Sequence, residues 1–329
     1  MIRKTLHPEG YHGRREQSPY FEGWYFKVVD ATQAHRYAII PGISLGGAAD
    51  GPHSFVQVLD GVSGRTSYHR YPIDAFHADE HTLDVKVGEN RFDARGLTLS
   101  LKDGDLPLTG TVRFSGLKPW PVTLAEPGIM GWYAWVPRME CYHGVLSLDH
   151  GLDGTLETER GSVAFGGGRG YIEKDWGRSF PAGWIWMQSN HFANTGICIT
   201  ASTAIIPWLG TAFPGFIVGL LVNGTLYRFA TYTGATITHL SVEEHAVVWQ
   251  LEDDLYQLNL VVQRAPAGEL RGPSKADMGR PVAETLSASI AVQLSAREGG
   301  VPIFAGTGRH AGVEVAGDIE ALLTSPPEA

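Results

Sequence analysis

Carboxylates set among aromatic side chains mark two stretches of this chain. Glu22 lies in Tyr20-Phe21-Glu22-Gly23-Trp24-Tyr25-Phe26-Lys27, and Glu173 and Asp175 lie about 150 residues on, in Gly170-Tyr171-Ile172-Glu173-Lys174-Asp175-Trp176-Gly177. A carboxyl group among indole and phenyl rings loses hydration, which favours its neutral form and lets it act as an acid near neutral pH. The same rings can turn their negative π faces toward a carbocation. An acid beside an aromatic wall suggests protonation of an alkene.

Strands would position these groups, because a strand sends alternate side chains to one face. Tyr171, Glu173 and Asp175 then share a face, as do Tyr20, Glu22, Trp24 and Phe26. A strand over 184–190 puts Trp184, Trp186, Gln188 and Asn190 together, an aromatic floor with two amides at one end. These faces form the candidate pocket. Each carboxylate also has a structural reading: Glu22 as a bond closing a barrel end, Glu173 as a surface pair with Lys174, Asp175 as the N-cap of a short helix.

Short β-rich runs recur at the roughly 8–12 residue spacing of sandwiches and barrels. The runs include 22–29, 37–43, 53–60 and 109–115 in the first half, and 185–191, 197–206, 216–222 and 256–263 in the second. Asn223-Gly224 between two apolar runs is a hairpin signal. Gly23-Trp24 before Ala38-Ile39-Ile40-Pro41 is echoed by Gly183-Trp184 before Ala204-Ile205-Ile206-Pro207. The expectation is an all-β protein of two domains, 1–178 and 179–329, with 268–280 as a long loop.

A formal net charge of -9 supplies no basic patch for nucleic acid. Two cysteines, Cys141 and Cys198, make no disulfide framework and read as reduced thiols of a cytoplasmic protein. No apolar leader follows the first methionine. The stretch 197–222 is apolar, yet Pro207, Pro214 and its glycines make two buried strands joined by a loop the better reading than a membrane span. That loop, 207–216 with Trp208 and Phe213, suits a peripheral membrane contact. Gly42-Ile43-Ser44-Leu45-Gly46 imitates a nucleophile elbow, but glycines and Pro52 follow where a helix is required. His77 and His81 lack the order of a zinc motif, His7, His12, His143 and His191 lack ligand-like neighbours, and no metal is assigned.

The motifs Ser18 to Lys27, Gly131 to His150, Gly170 to Phe192 and Ala311 to Asp318 resemble the tocopherol cyclase family. That family lies in a wider lipocalin-like group with carotenoid 1,2-hydratases and decalin-forming cyclases. The resemblance implies two lipocalin-like β-barrel or sandwich domains, a pocket for an extended hydrophobic isoprenoid such as a prenylated quinol, and neither redox cofactor nor metal. It also implies cyclisation of a prenylated hydroquinol to a chromanol: a proton reaches the trisubstituted alkene, charge develops at the tertiary carbon, and the phenol oxygen attacks. Asp175 is the first candidate for the acid, then Glu22, then Glu173. Trp24, Trp176 and Trp186 would shield the cation, Tyr25 and Trp184 complete the substrate wall, and Gln188 or Asn190 would orient the hydroxyls. Water attack would make a hydratase, and a pocket without a proton donor a lipid carrier.

Overall fold

Alternating apolar and polar runs punctuated by glycine turns fold here into strands almost throughout. The computed structural model describes residues 2–47 and 49–324. The chain divides into two units, Met1–Phe180 with Gly268–Val282, and Pro181–Ala267 with Ala283–Ala329.

In the first unit the strands are β1 (Phe21–Val29), β2 (Arg36–Ser44), β3 (His53–Asp60), β4 (Thr66–Tyr71), β5 (Phe76–Ala78), β6 (Asp84–Val87), β7 (Asn90–Asp93), β8 (Gly96–Leu101), β9 (Leu108–Ser115), β10 (Cys141–Thr158), β11 (Gly161–Ala164) and β12 (Gly168–Gly177). They form one antiparallel sheet in the order β4-β3-β2-β1-β12-β10-β9-β8-β7-β6-β5, with β11 paired to β10. Its core face carries Trp24, Phe26 and Val28 of β1 against Val56, Phe92 and Ile172, all buried. Each such side chain contributes roughly 1.5–3 kcal/mol by leaving water.

The second unit holds β13 (Gly183–Ser189), β14 (Ile197–Trp208), β15 (Thr211–Val222), β16 (Thr225–Ala230), β17 (Thr236–Val242), β18 (Ala246–Glu252) and β19 (Tyr256–Gln263). After β20 (Gly268–Gly272), which belongs to the first unit, come β21 (Arg280–Ala296) and β22 (Pro302–Gly317). The order is β16-β15-β14-β13-β22-β21-β19-β18-β17. Ile185 and Met187 face its core with Phe229, Trp249, Leu260 and Ile290. Asn223 and Gly224 both have positive φ, as a tight β15–β16 hairpin requires.

The expected lipocalin-like barrels are not formed: both sheets are open. In the first, the edge strands β4 and β5 follow one another in sequence but do not pair. Pro72, which has no N–H, and a 3-10 turn at Ile73–Ala75 separate them. In the second, β16 and β17 are parted by a 3-10 turn at Thr231–Thr233 and a left-handed Gly234. Sandwich-like folded sheets therefore replace closed cylinders. The two sheets share one plan, a four-stranded meander, a 3-10 turn and a return whose last strand pairs with the first. The echoed residues sit on the first two strands of each sheet, Gly23-Trp24 and Gly183-Trp184 on β1 and β13, and Ala38 to Pro41 and Ala204 to Pro207 on β2 and β14.

Two further expectations are corrected. The stretch 268–280 is not all loop, since β20 runs through it and Arg271 exchanges backbone bonds with the Gln57 side chain (2.6 and 3.2 Å). The connection at 207–216 is much shorter, because β14 and β15 run on to a turn at Leu209 and Gly210. No helix among the described residues is long and apolar enough to cross a membrane.

Candidate functional site

The pairing of β1 with β12 decides where the three acids go. Glu22 stands opposite Trp176 and Trp24 opposite Lys174, while Gly23 stands opposite Asp175 and Tyr25 opposite Glu173. Opposed residues share a face, so Glu22 points to the core side and Glu173 and Asp175 to the other. The two aromatic-acidic stretches thus make two separate clusters on opposite sides of one sheet.

On the core side Glu22 is fully buried and forms an ion pair with buried Lys174 at 2.6 Å. The backbone N–H of His12 donates to both its oxygens (3.0 Å each), and the Tyr20 hydroxyl donates to it as well. Lys174 also donates to the carbonyl oxygens of Pro8 (3.0 Å) and Gly10, and lies 4.8 Å from the Trp24 ring and 4.6 Å from that of Trp176. Burial pushes the Lys174 ammonium down, and Glu22 pulls it back up. A carboxylate this fully committed holds the segment before β1 in place. The Trp24 Nε1–H donates to the Glu9 carbonyl (3.1 Å), so Trp24 belongs to the same fastening and to the core. Trp176 stacks on Tyr142 (5.5 Å) beside a cavity of about 370 Å³, which Trp135, Met139 and His12 also line.

The opposite face assembles a second group. β10 pairs with β12 so that His143 stands beside Asp175. Its Nδ1 is 2.8 Å from Asp175 Oδ1 and its Nε2 3.6 Å from Glu173 Oε2. The Tyr171 hydroxyl donates to Glu173 at 2.5 Å. Glu173 is 4% exposed, whereas the Asp175 side chain is 27% exposed. An apolar cluster of Phe21, Phe55 and Met278, with Ile40, Cys141 and Phe180 packed against it, adjoins this face. Burial, and then the charge of Asp175, push the Cys141 thiol up, so it stays protonated. One row crosses five strands in register, Phe55, Gly42, Gly23, Asp175 and His143.

His143, Glu173 and Asp175 each present a ligand atom, all within 4.8 Å of one another, a set that could take a divalent cation. As they stand, Asp175 is turned to the imidazole and Glu173 to a tyrosine hydroxyl, an arrangement suited to passing protons. Two negative charges within that distance repel by about 3 kcal/mol or more at an effective dielectric of ~20.

In the second unit Trp184, Trp186, Gln188 and Asn190 are all buried; the first three share the face of β13 opposite to Ile185 and Met187, and Asn190 follows the end of the strand. The Trp184 Nε1–H donates to Glu314 Oε2 (2.6 Å), and Glu314 stands opposite both Trp186 and the buried Glu284. The bare backbone of Gly312 makes room for the Trp186 indole, which a Cβ there would meet at 2.8 Å.

Sequence reading missed His143, Glu284 and Glu314. The first acquires its role only through the β10–β12 register, and the others through the pairing of β21 and β22 with β13. The only sequence signal for His143 was its place within the Gly131 to His150 motif.

A tocopherol cyclase-like family model matches residues 116–317. The Oryza sativa subsp. japonica protein named "Probable tocopherol cyclase, chloroplastic" is 26% identical over 162 residues, 46% of this chain and 33% of that protein. The chloroplastic tocopherol cyclase of Zea mays is 30% identical over 109 residues, 32% of this chain and 23% of that one. The matched segments thus span a third or less of these relatives' own length. Among solved structures, CghA with Sch210972 aligns at a TM-score of 0.55 and 8% identity, covering 91% of this chain and 89% of CghA. Kievitone hydratase from Nectria haematococca aligns at 0.50 and 13%, covering 94% of each. Those two likenesses concern the fold; the family model, which covers more than half of the residues, shows that this chain belongs to the tocopherol cyclase-like family.

Proposed function

We propose that this chain is an acid catalyst of the cyclase or hydratase type acting on an isoprenoid alkene, with a prenylated hydroquinol closing to a chromanol as the reaction it fits best. The observation that carries this reading is the buried Glu173, held by Tyr171 and placed with His143 and Asp175 on one face. An alkene is a very weak base, so its acid must be neutral, dry and fixed in position. Glu173 is the driest carboxyl of the cluster and carries that proton. Asp175 accepts the His143 Nδ1–H and keeps Nε2 turned toward Glu173.

The proton of Glu173 forms the new C–H bond, leaving positive charge on the tertiary carbon. The phenol oxygen forms the C–O bond and its proton passes to His143 Nε2, where Asp175 stabilises the imidazolium. Return of that proton to Glu173 closes the cycle without an oxidant or reductant. Water in place of the phenol gives a tertiary alcohol by the same steps. Membership of the family and the likeness of the fold to a hydratase support this chemistry.

The test is incubation with a C20-prenylated dimethylhydroquinol, following chromanol or hydrated product by mass. Wild type is expected to turn it over, and Glu173→Gln to lose about 10²–10⁴-fold. Tight binding with no product across pH 5–8 would instead identify a carrier, and full turnover by Glu173→Gln would remove the acid from this position.

A further inference from the structure

Gly23 is the only one of the nine β1 residues that is not buried. Its neighbours on the same face, Asp175, Ile40 and His143, are also partly exposed, so solvent reaches this part of the cluster's side of the sheet. Nothing in the backbone calls for glycine here: Gly23 is not among the positive-φ residues. Nor does close packing call for it, since a Cβ would meet only Ile40 Cγ2 at 3.6 Å and the Pro41 carbonyl at 3.9 Å, ordinary van der Waals contacts. Gly42 beside it differs, because the Phe55 ring occupies the space a Cβ would take. Along the row, therefore, an aromatic ring over Gly42 is followed by bare backbone at Gly23 and then by the Asp175–His143 pair.

We infer that the space over Gly23 is the seat of the substrate's planar ring and that Gly23 is the residue that sets its size. A flat aromatic ring can lie on exposed peptide backbone with Phe55 at one edge and its hydroxyl directed at His143, which Asp175 holds. Any side chain at 23 would stand about 5 Å from the Cβ of Asp175, in the ring's place. This rests on the proposed reaction for the identity of the ring, and on the geometry alone for the existence of the seat.

The experiment is a series, Gly23→Ala and Gly23→Val, each checked for thermal midpoint and for binding of two probes by tryptophan fluorescence. The probes are the dimethylated C20-prenylated hydroquinol and a C20 prenyl alcohol, which shares the tail but lacks the ring. Turnover of the quinol is followed in parallel. Binding of the quinol is expected to weaken about 5-fold in Gly23→Ala and 50-fold or more in Gly23→Val, with binding of the alcohol unchanged. Equal affinity of wild type and both variants for the quinol overturns the inference, whether or not product forms. Equal loss for the two probes also overturns it, since the residue would then not read the ring. If binding is lost as expected but wild type yields no product, the seat stands and the proposed reaction falls. Gly23→Ala, the smaller change, keeps the test valid should Gly23→Val fail to fold.

Discussion

Asp175 and Glu173 stand two residues apart yet differ in what surrounds them, and the difference predicts different defects. Asp175→Asn keeps the shape of the His143 partner and removes its charge, so kcat should fall about 10²-fold while the affinity for a quinol changes little. A matched loss of affinity in fluorescence titration would show that Asp175 holds substrate rather than the imidazole. A second histidine gives a prediction for stability. Burial pushes His150 down to about 3, and His12 is lowered too, by burial and then by the charge of Lys174. Both stay neutral when folded and take up a proton on unfolding below about 6.5, so acid favours the unfolded chain. The full stability of these sites is present above that pH; for His150 it is lost as pH falls toward 3, by about tenfold in the folding constant per unit, and His12 adds a loss of the same sign. His150→Gln should flatten this dependence in urea titrations at pH 4–7, and an unchanged slope would refute it. Side-chain parity made the shared face of Glu173 and Asp175 legible in sequence. His143 was not legible, because its partner comes from a strand 32 residues away whose register includes bulges.

At the scale of the element, β12 serves two masters, turning Glu173 and Asp175 one way and Lys174 the other. Lys174 fastens the segment before β1 by its bonds to Pro8, Gly10 and Glu22. Removing one member of a buried pair leaves the other charge unmatched, so Lys174→Met should cost about 3–5 kcal/mol in chemical denaturation. Lys174→Met with Glu22→Leu should recover part of that loss, and additive costs would show the pair to be uncoupled. The sequence placed both residues on strands and offered Lys174 as a solvent-facing partner for Glu173, a reading that the opposite faces of adjacent strand residues already argue against. Only the depth of the core, set by residues such as Trp24 and Phe92, shows that this lysine lies inside.

For the molecule as a whole, the rhythm of strands conveyed the β class and the repeated plan, but not whether the sheets close. The link from β4 to β5 reads in sequence like any short connection, and its failure to pair follows from Pro72 and a tight turn. The distribution of chain between the units was equally hidden, since nothing local in 268–282 reveals that Met278 packs with Phe21 and Phe55. Met278→Ala should cost about 2–5 kcal/mol in the first unit, measured as a shift in its denaturation midpoint.

That distribution has a bearing on synthesis. A ribosome delivers the first twelve strands early, yet the unit they belong to lacks its final piece until Val282 has emerged, after 181–267 have been made. Nascent chains halted at residue 267 should leave the Phe21–Phe55 surface uncovered and open to protease, and chains released beyond 282 should acquire resistance in one step. The order in which the polypeptide is made thus delays the moment at which its amino-terminal half becomes secure.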